Sequence, residues 1–310
     1  MLGQSVADAQ PAKMYRVGFL LGATAESVLS LYNSLDEGLR DRGYVQGRNL
    51  ILEARYGGGR MERLPELAAE LVRLRVEVIV TGTRIHVAAV RSVTKSVPTV
   101  MVFTSDPVAA GFVDSLAHPG GNVTGLSADA SPELWTKYLA LLREAAPKLS
   151  RVGALGQVAA KTGFAELDVA SRQLGIALEI ADLKAPEDLD EAFAAMVSKR
   201  VDGIVVIVGP LTYQLRKPIG DLALKYRLPT ICTLSEYAHA GALMTYGPNL
   251  NDLYVRAASY VDKILRGEKP QDLPVEQPSR FELIVNMKTA RALGVNMPHS
   301  LQLLAAEVIG

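Results

Sequence analysis

Small polar residues recur in this 310-residue chain just past short apolar runs. Thr24 follows Arg16–Leu21, Thr81-Gly82-Thr83 follows Val76–Val80, and Thr104-Ser105-Asp106 follows Pro98–Phe103. Further on, Gln157 follows Arg151–Gly156, and Gly209-Pro210-Leu211-Thr212-Tyr213 follows the run from Gly203. Ser235-Glu236-Tyr237 and Tyr246-Gly247-Pro248-Asn249 close the series. Hydroxyls, an amide and the free N–H groups of a starting helix bind a small polar molecule, and a carboxylate above all. That attraction is about 0.3–1 kcal/mol, and up to about 2 when partly buried. Each residue also has a plainer role. Thr83 and Ser105 are equally N-caps, and Asp106 before Pro107 is cap or contact. Tyr213, Tyr237 and Tyr246 wall a ligand or pack an edge. Glu236 meets a ligand amine or is a solvated carboxylate.

Positioning these residues takes parallel strands. Continuous apolar runs bounded by turn signals suit strands covered on both faces, and the loops at their carboxyl ends are where open α/β sheets hold ligands. Between the runs, Val28, Leu31, Leu35 and Leu39 mark one helical face, with Gly43 as its C-cap. Leu50–Tyr56 is a second strand, ending at Gly57-Gly58-Gly59, and Leu64–Leu74 and His86–Ser92 are helices. After Asp106 a short helix precedes the turn His118-Pro119-Gly120-Gly121, and an extended stretch to Ser127 leaves for a second domain.

The pattern then restarts. Arg151-Val152-Gly153 echoes Arg16-Val17-Gly18, and Arg200-Val201-Asp202 echoes Arg75-Val76-Glu77. Leu228-Pro229-Thr230-Ile231 echoes Val97-Pro98-Thr99-Val100. Matches in order at nearly constant offset indicate two halves of the same βα order, whose strand ends face one another across a cleft. Between them Glu133–Ala145 is a helix, with Trp135 read as packing. In the tail, Asn251–Leu265 is an amphipathic helix and Phe281–Val285 a strand. Lys288–Leu293 is a short helix, and Leu301–Ile309 docks on a sheet.

The usual catalytic signatures are absent. There is no GxGxxG after the first strand, no GxxxxGK[ST] and no GxSxG. His86, His118, His239 and His299 lack metal-ligand spacing. No catalytic residue, cofactor or metal is expected. Lys+Arg and Asp+Glu balance at 33 each, which points away from nucleic acid. The single cysteine, Cys232, reads as a buried thiol. No apolar run is long enough to span a membrane. Met1–Lys13 is read as a disordered terminus or a signal-peptide remnant, with Ala7-Asp8-Ala9 in the form of a cleavage site.

Three stretches resemble one family. They are Gly43-Tyr44-Val45-Gln46-Gly47-Arg48-Asn49, Asp106-Pro107-Val108 with Gly111–Gly125 (including His118-Pro119-Gly120-Gly121-Asn122), and Tyr260–Leu265 with Leu273–Pro278. The family is the ABC-transporter substrate-binding proteins that include tryptophan- and tyrosine-binding members. The resemblance implies a type I periplasmic-binding fold: two doubly wound parallel-sheet α/β lobes joined by three crossovers. Lobe one would be 14–125 plus about 247–277, and lobe two 126–246 plus about 278–310. It also implies a periplasmic monomer with a truncated signal peptide, delivering a small solute to an ABC permease and ATPase. Many members carry Asp where this chain has Asn249 and Gly209. An aryl or alkyl acid therefore competes with an α-amino acid as the ligand. The rival readings are a two-lobed nucleotide-sugar enzyme and a cytosolic ligand-sensing lobe.

Overall fold

A computed structural model describes residues 13–128, 133–157 and 161–310. Ala7-Asp8-Ala9 lies outside them. The first half runs β1 (Tyr15–Leu21), α1 (Leu29–Arg40), β2 (Leu50–Tyr56), α2 (Leu64–Arg73), β3 (Val78–Thr81), α3 (Arg84–Val93), β4 (Thr99–Thr104) and β5 (Val123–Ser127). The second runs α4 (Glu133–Ala145), β6 (Arg151–Gly156), α5 (Lys161–Gln173), β7 (Ala177–Asp182), α6 (Leu189–Ser198), β8 (Gly203–Val206), α7 (Pro210–Gln214), α8 (Arg216–Lys225), β9 (Thr230–Cys232), α9 (Ser235–His239) and β10 (Met244–Gly247). The tail adds α10 (Leu250–Leu265), β11 (Glu282–Asn286), α11 (Met287–Leu293), α12 (His299–Leu304) and β12 (Glu307–Ile309).

Two separate sheets result. The first has the order β2-β1-β3-β4-β5 and is parallel throughout. The second, read from its inner repeat outward, is β7-β6-β8-β9-β10-β11-β12. Its one antiparallel pairing is β10 with β11. Both begin with the same 2-1-3 arrangement. Val17 pairs with Leu52 and Val78, and Val152 pairs with Leu178 and Gly203. Helices cover both faces, so the central strands are buried along their whole length: Val78, Ile79 and Val80 in β3, and Gly203, Ile204, Val205 and Val206 in β8.

The repeat extends to side chains. Arg16 Nη1 donates to Glu53 at 2.8 Å, while its backbone N–H donates to Glu77 at 2.9 Å. Arg151 Nη1 donates to Glu179 at 2.7 Å, while its backbone N–H donates to Asp202 at 3.0 Å. Arg75 and Arg200, just after α2 and α6, both turn the chain with positive φ, 55° and 57°. The echoes seen in sequence are therefore equivalent positions.

The chain passes between the sheets three times: between β5 and α4, between β10 and α10, and between Glu276, bridged to Leu126, and β11. Between the second and third passages α10 returns to the first sheet and packs on α1, β3, β4 and β5. Gly38 permits the close α1–α10 crossing; a β-carbon there would lie 2.6 Å from the Val255 carbonyl. At the first passage, Gly125 has φ +128° and faces the Met101 carbonyl, so no larger residue fits without strain.

Two expectations differ. The segment after Asp106 is a single turn, not a helix. Ala110 N–H bonds the Asp106 carbonyl and Phe112 N–H bonds that of Pro107, and Gly111 at φ +65° ends the turn. The chain end does dock on the second sheet, β12 alongside β11, but as an edge that leaves Leu303 and Leu304 exposed.

Candidate functional site

Two contiguous hollows lie between the sheets. The larger, about 200 Å3, is bounded by Thr83, Arg84, Ile85, Phe103, Ser105 and Asp106 from the first half. Leu134, Trp135, Gln157, Glu166, Gly209, Pro210 and Thr233 close it from the second. The smaller, about 50 Å3, has apolar walls that include Leu21, Val28, Tyr213, Leu234, Leu250 and Tyr254. Both touch Thr83, Phe103, Val208, Gly209 and Pro210. Phe103 holds φ +60°, where the β4–β5 register shifts. For a bulky residue that backbone costs on the order of 1–3 kcal/mol.

A larger groove of about 320 Å3 sits on the outer edge of the second sheet, between β7 and α6. Two of its acids are already engaged. Glu179 pairs with Arg151 and Lys199, and Asp188 takes the N–H groups of Lys184 and Ala185. Among the described residues no three His, Cys, Asp or Glu side chains converge on a metal site.

The loop entering α3 is fixed from beneath. Thr81 Oγ1 donates to the Leu20 carbonyl at 2.8 Å, and Thr104 Oγ1 to the Gly82 carbonyl at 2.7 Å; both threonines are fully buried. His86 Nε2 accepts the Gly22 N–H at 2.8 Å. The imidazole is therefore neutral, with its proton on Nδ1, 3.0 Å from Thr83 Oγ1. Burial lowers the His86 pKa from 6.5 to about 4. Thr83 sits at the N-cap position, yet its hydroxyl faces His86 and makes no cap bond. The backbone N–H groups of Arg84 and Ile85 have no acceptor among the described residues. The half-buried Arg84 side chain likewise has no hydrogen bond or ion pair among them.

The opposing start of α7 is closed. Pro210 has no N–H, and the Leu211 N–H donates to Gln157 Oε1 at 3.3 Å. The Gly209 N–H donates to Thr212 Oγ1 at 2.8 Å. Gln157 also fills the space beside Gly209, 2.9 Å from where a β-carbon would stand.

Of the residues singled out by sequence, Gly82, Thr83, Ser105, Asp106, Gln157, Pro210 and Tyr213 border the hollows. Thr81 and Thr104 lie beneath them as loop supports. Thr24 bonds locally with Ser27. Ser235 and Glu236 lie behind Tyr213, whose hydroxyl is 3.4 Å from Glu236 Oε1. Tyr246 stacks on Phe281 at 5.8 Å, outside both hollows. Asn249 caps α10, accepting the Asp252 N–H at 3.3 Å. Ser105 caps no helix, since none follows, and Asp106 Oδ1 accepts the Ala109 N–H within the turn.

Sequence reasoning missed Arg84, Glu166, Phe103 and Trp135. Trp135 packs edge-on to Tyr138 at 5.6 Å, as a packing residue would, but it also borders the larger hollow and donates from Nε1 to Glu166 Oε2 at 2.7 Å. Its position on the first turns of the first helix past the crossover is the signal that was available.

The halves also touch directly. Arg216 Nη2 donates to the Ser27 carbonyl at 3.3 Å, and Gln214 lies against Gly59. One buried cluster runs from Val17 and Phe19 through Leu250 and Tyr254 to Tyr213 and Leu234.

Two α/β lobes, three crossovers and a cavity between facing strand ends define a binder of the type I periplasmic-binding fold. The chain belongs to the ABC transporter substrate binding proteins, whose family profile matches residues 19–309. It is 26% identical over 258 residues to a tyrosine-binding protein of Clostridioides difficile strain R20291, covering 82% of this chain and 74% of that one. A conserved domain protein from Vibrio cholerae superposes with a TM-score of 0.89 at 25% identity, over 96% of this chain and 100% of the other. A Streptococcus pneumonia ABC domain in complex with L-Trp gives 0.88 at 24% identity, with the same coverage. The ligand-free, open structure of a Clostridium difficile substrate binding protein with adhesive properties gives 0.68 at 24% identity, over 96% and 99% of the two chains. Proteins of this family are extracytoplasmic solute binders. No described helix is long and apolar enough to cross a membrane.

Proposed function

We propose that this chain is the periplasmic solute-receiving component of an ABC uptake transporter. It holds a small carboxylate-bearing ligand, an aromatic or branched amino acid or a related organic acid, and closes over it. The observation that carries this reading is the unequal pair of helix starts across the larger cavity. The α3 start offers two N–H groups with no acceptor among the described residues, whereas the α7 start has no N–H at its first position and a partner at its second. An anion therefore seats on the first lobe, and Leu134, Trp135 and Pro210 give its apolar body a wall on the second.

Closure follows from a ligand that touches both lobes at once, because only the closed form makes both sets of contacts. The closer match to the L-Trp complex than to the open structure, at equal identity, supports reading the present arrangement as closed. The chain from 14 to about 125 with about 247–277 forms one lobe in this proposal, and the remainder the other. A ligand of micromolar affinity, about −8.2 kcal/mol, needs only a few such contacts.

Calorimetry against aromatic and branched amino acids, aryl and alkyl carboxylates, sugars and nucleotide sugars tests the reading. Binding confined to the acid-bearing compounds is expected, and binding confined to sugars or their nucleotides defeats it. X-ray scattering should show a smaller radius at saturation than for the ligand-free protein, and equal radii would remove closure.

A further inference from the structure

We infer that Arg84 is the side chain that recognises the ligand's anion, completing with the start of α3 a two-part clamp on the first lobe. This rests on the reading of the cavity as a carboxylate site and adds to it the residue that sets the charge preference. Three observations converge. Arg84 is the sole Lys or Arg bordering the larger cavity among the described residues. Half-buried, it lacks an ion pair or hydrogen bond among the described residues, whereas Arg16 is held by Glu53, Arg55 by Glu70, and Arg216 by Tyr213 and Ser27; Arg63, the other half-buried arginine without such a bond among them, lies away from the cavity. It is the first residue of α3, and the N–H groups of Arg84 and Ile85, which have no acceptor among the described residues, start the helix at the same cavity.

The chemistry fits an acid. A guanidinium offers parallel donors to a carboxylate's two oxygens, and backbone N–H groups add donors from a fixed direction. The acids that border the cavity are engaged elsewhere. Asp106 is occupied within its turn, and Glu166 holds the Trp135 indole N–H. The Trp135–Glu166 pair faces the clamp from the second lobe. The ligand class is thus a carboxylate on an apolar, preferably aromatic, body, with Arg84 discriminating the acid from its neutral or cationic counterparts.

Three compounds sharing one ring test this by calorimetry at pH 7: indole-3-propionate, L-tryptophan and tryptamine. The wild-type chain should bind at least one of the two carboxylates and reject the amine. Arg84→Gln should weaken that carboxylate at least tenfold and bring it within about threefold of tryptamine. Arg84→Lys should recover part of the loss, since the charge returns without the two-pronged geometry. Lys95→Gln, which removes an equal charge from an exposed site just past α3, should change nothing. Wild-type binding of a carboxylate with unchanged affinity in Arg84→Gln overturns the role of Arg84 and leaves the carboxylate site standing. Equal losses in Arg84→Gln and Lys95→Gln reduce the effect to net charge and overturn it too. Failure of the wild type to bind either carboxylate, or preference for tryptamine, overturns both.

Discussion

The starts of α3 and α7 are the same piece of architecture built twice. Each follows the third strand of its half, each faces the cleft, and in each the residue three positions past the cap bonds back toward the loop: His86 to Thr83, Thr212 to Gly209. They differ in what is left over. In the second lobe a proline, a glutamine amide and a threonine hydroxyl complete the turn from within. In the first, the hydroxyl that should cap the helix faces a histidine, and an arginine stands beside the exposed N–H groups. A duplicated frame thus has one end finished for stability and one left incomplete. Incompleteness at a helix end is a cost of about 0.5–2 kcal/mol that a bound anion can offset.

The sharpest way to break this comparison is through His86. Its folded pKa, about 4, lies below its ordinary 6.5. The unfolded chain therefore binds more protons between those values. Stability is full above about pH 6.5 and is lost as pH falls toward 4, by about 3 kcal/mol from this group. Urea unfolding of wild type and His86→Gln across pH 4–7 measures it. A slope that survives in His86→Gln assigns the effect to other groups. A smaller effect is expected from finishing the open end. Thr83→Asp places a carboxylate acceptor at the cap, which should raise stability by about 0.5–1 kcal/mol while lowering carboxylate affinity at least tenfold. Thermal unfolding and calorimetry on the same samples check this opposition, and a variant gaining or losing on both measures argues against it. The smallest effect should come from opening the closed end. Pro210→Ala is expected to cost less than about 1 kcal/mol and to shift affinity no more than about twofold, because Gln157 still engages the adjacent N–H.

The duplication could be read from the chain because its markers are backbone requirements. Arg75 and Arg200 occupy the same left-handed turn, and Pro98 and Pro229 enter equivalent strands through carbonyls that accept the Ile79 and Ile204 N–H groups. Such constraints act locally and leave a local trace. Loop residues at the strand ends were also identifiable as a set, but not their orientation. Thr81 and Thr83, two positions apart, point one into the sheet and one at the cavity rim. Arg84 and Glu166 look in sequence like solvated helix residues. Their meaning arises only when α3, α4 and α5 converge from different parts of the chain. Tyr246 and Asn249 show the reverse: distinctive in sequence, they pack an edge and cap a helix.

Cys232 has a practical corollary. The chain's sole cysteine is entombed in β9, and burial pushes its thiol pKa up to about 12, so alkylating dyes will ignore it in the native protein. A cysteine installed at exposed Leu29, close to where Arg216 reaches Ser27, would be labelled alone. One conjugation step would then turn the wild-type scaffold into a fluorescent gauge of lobe movement.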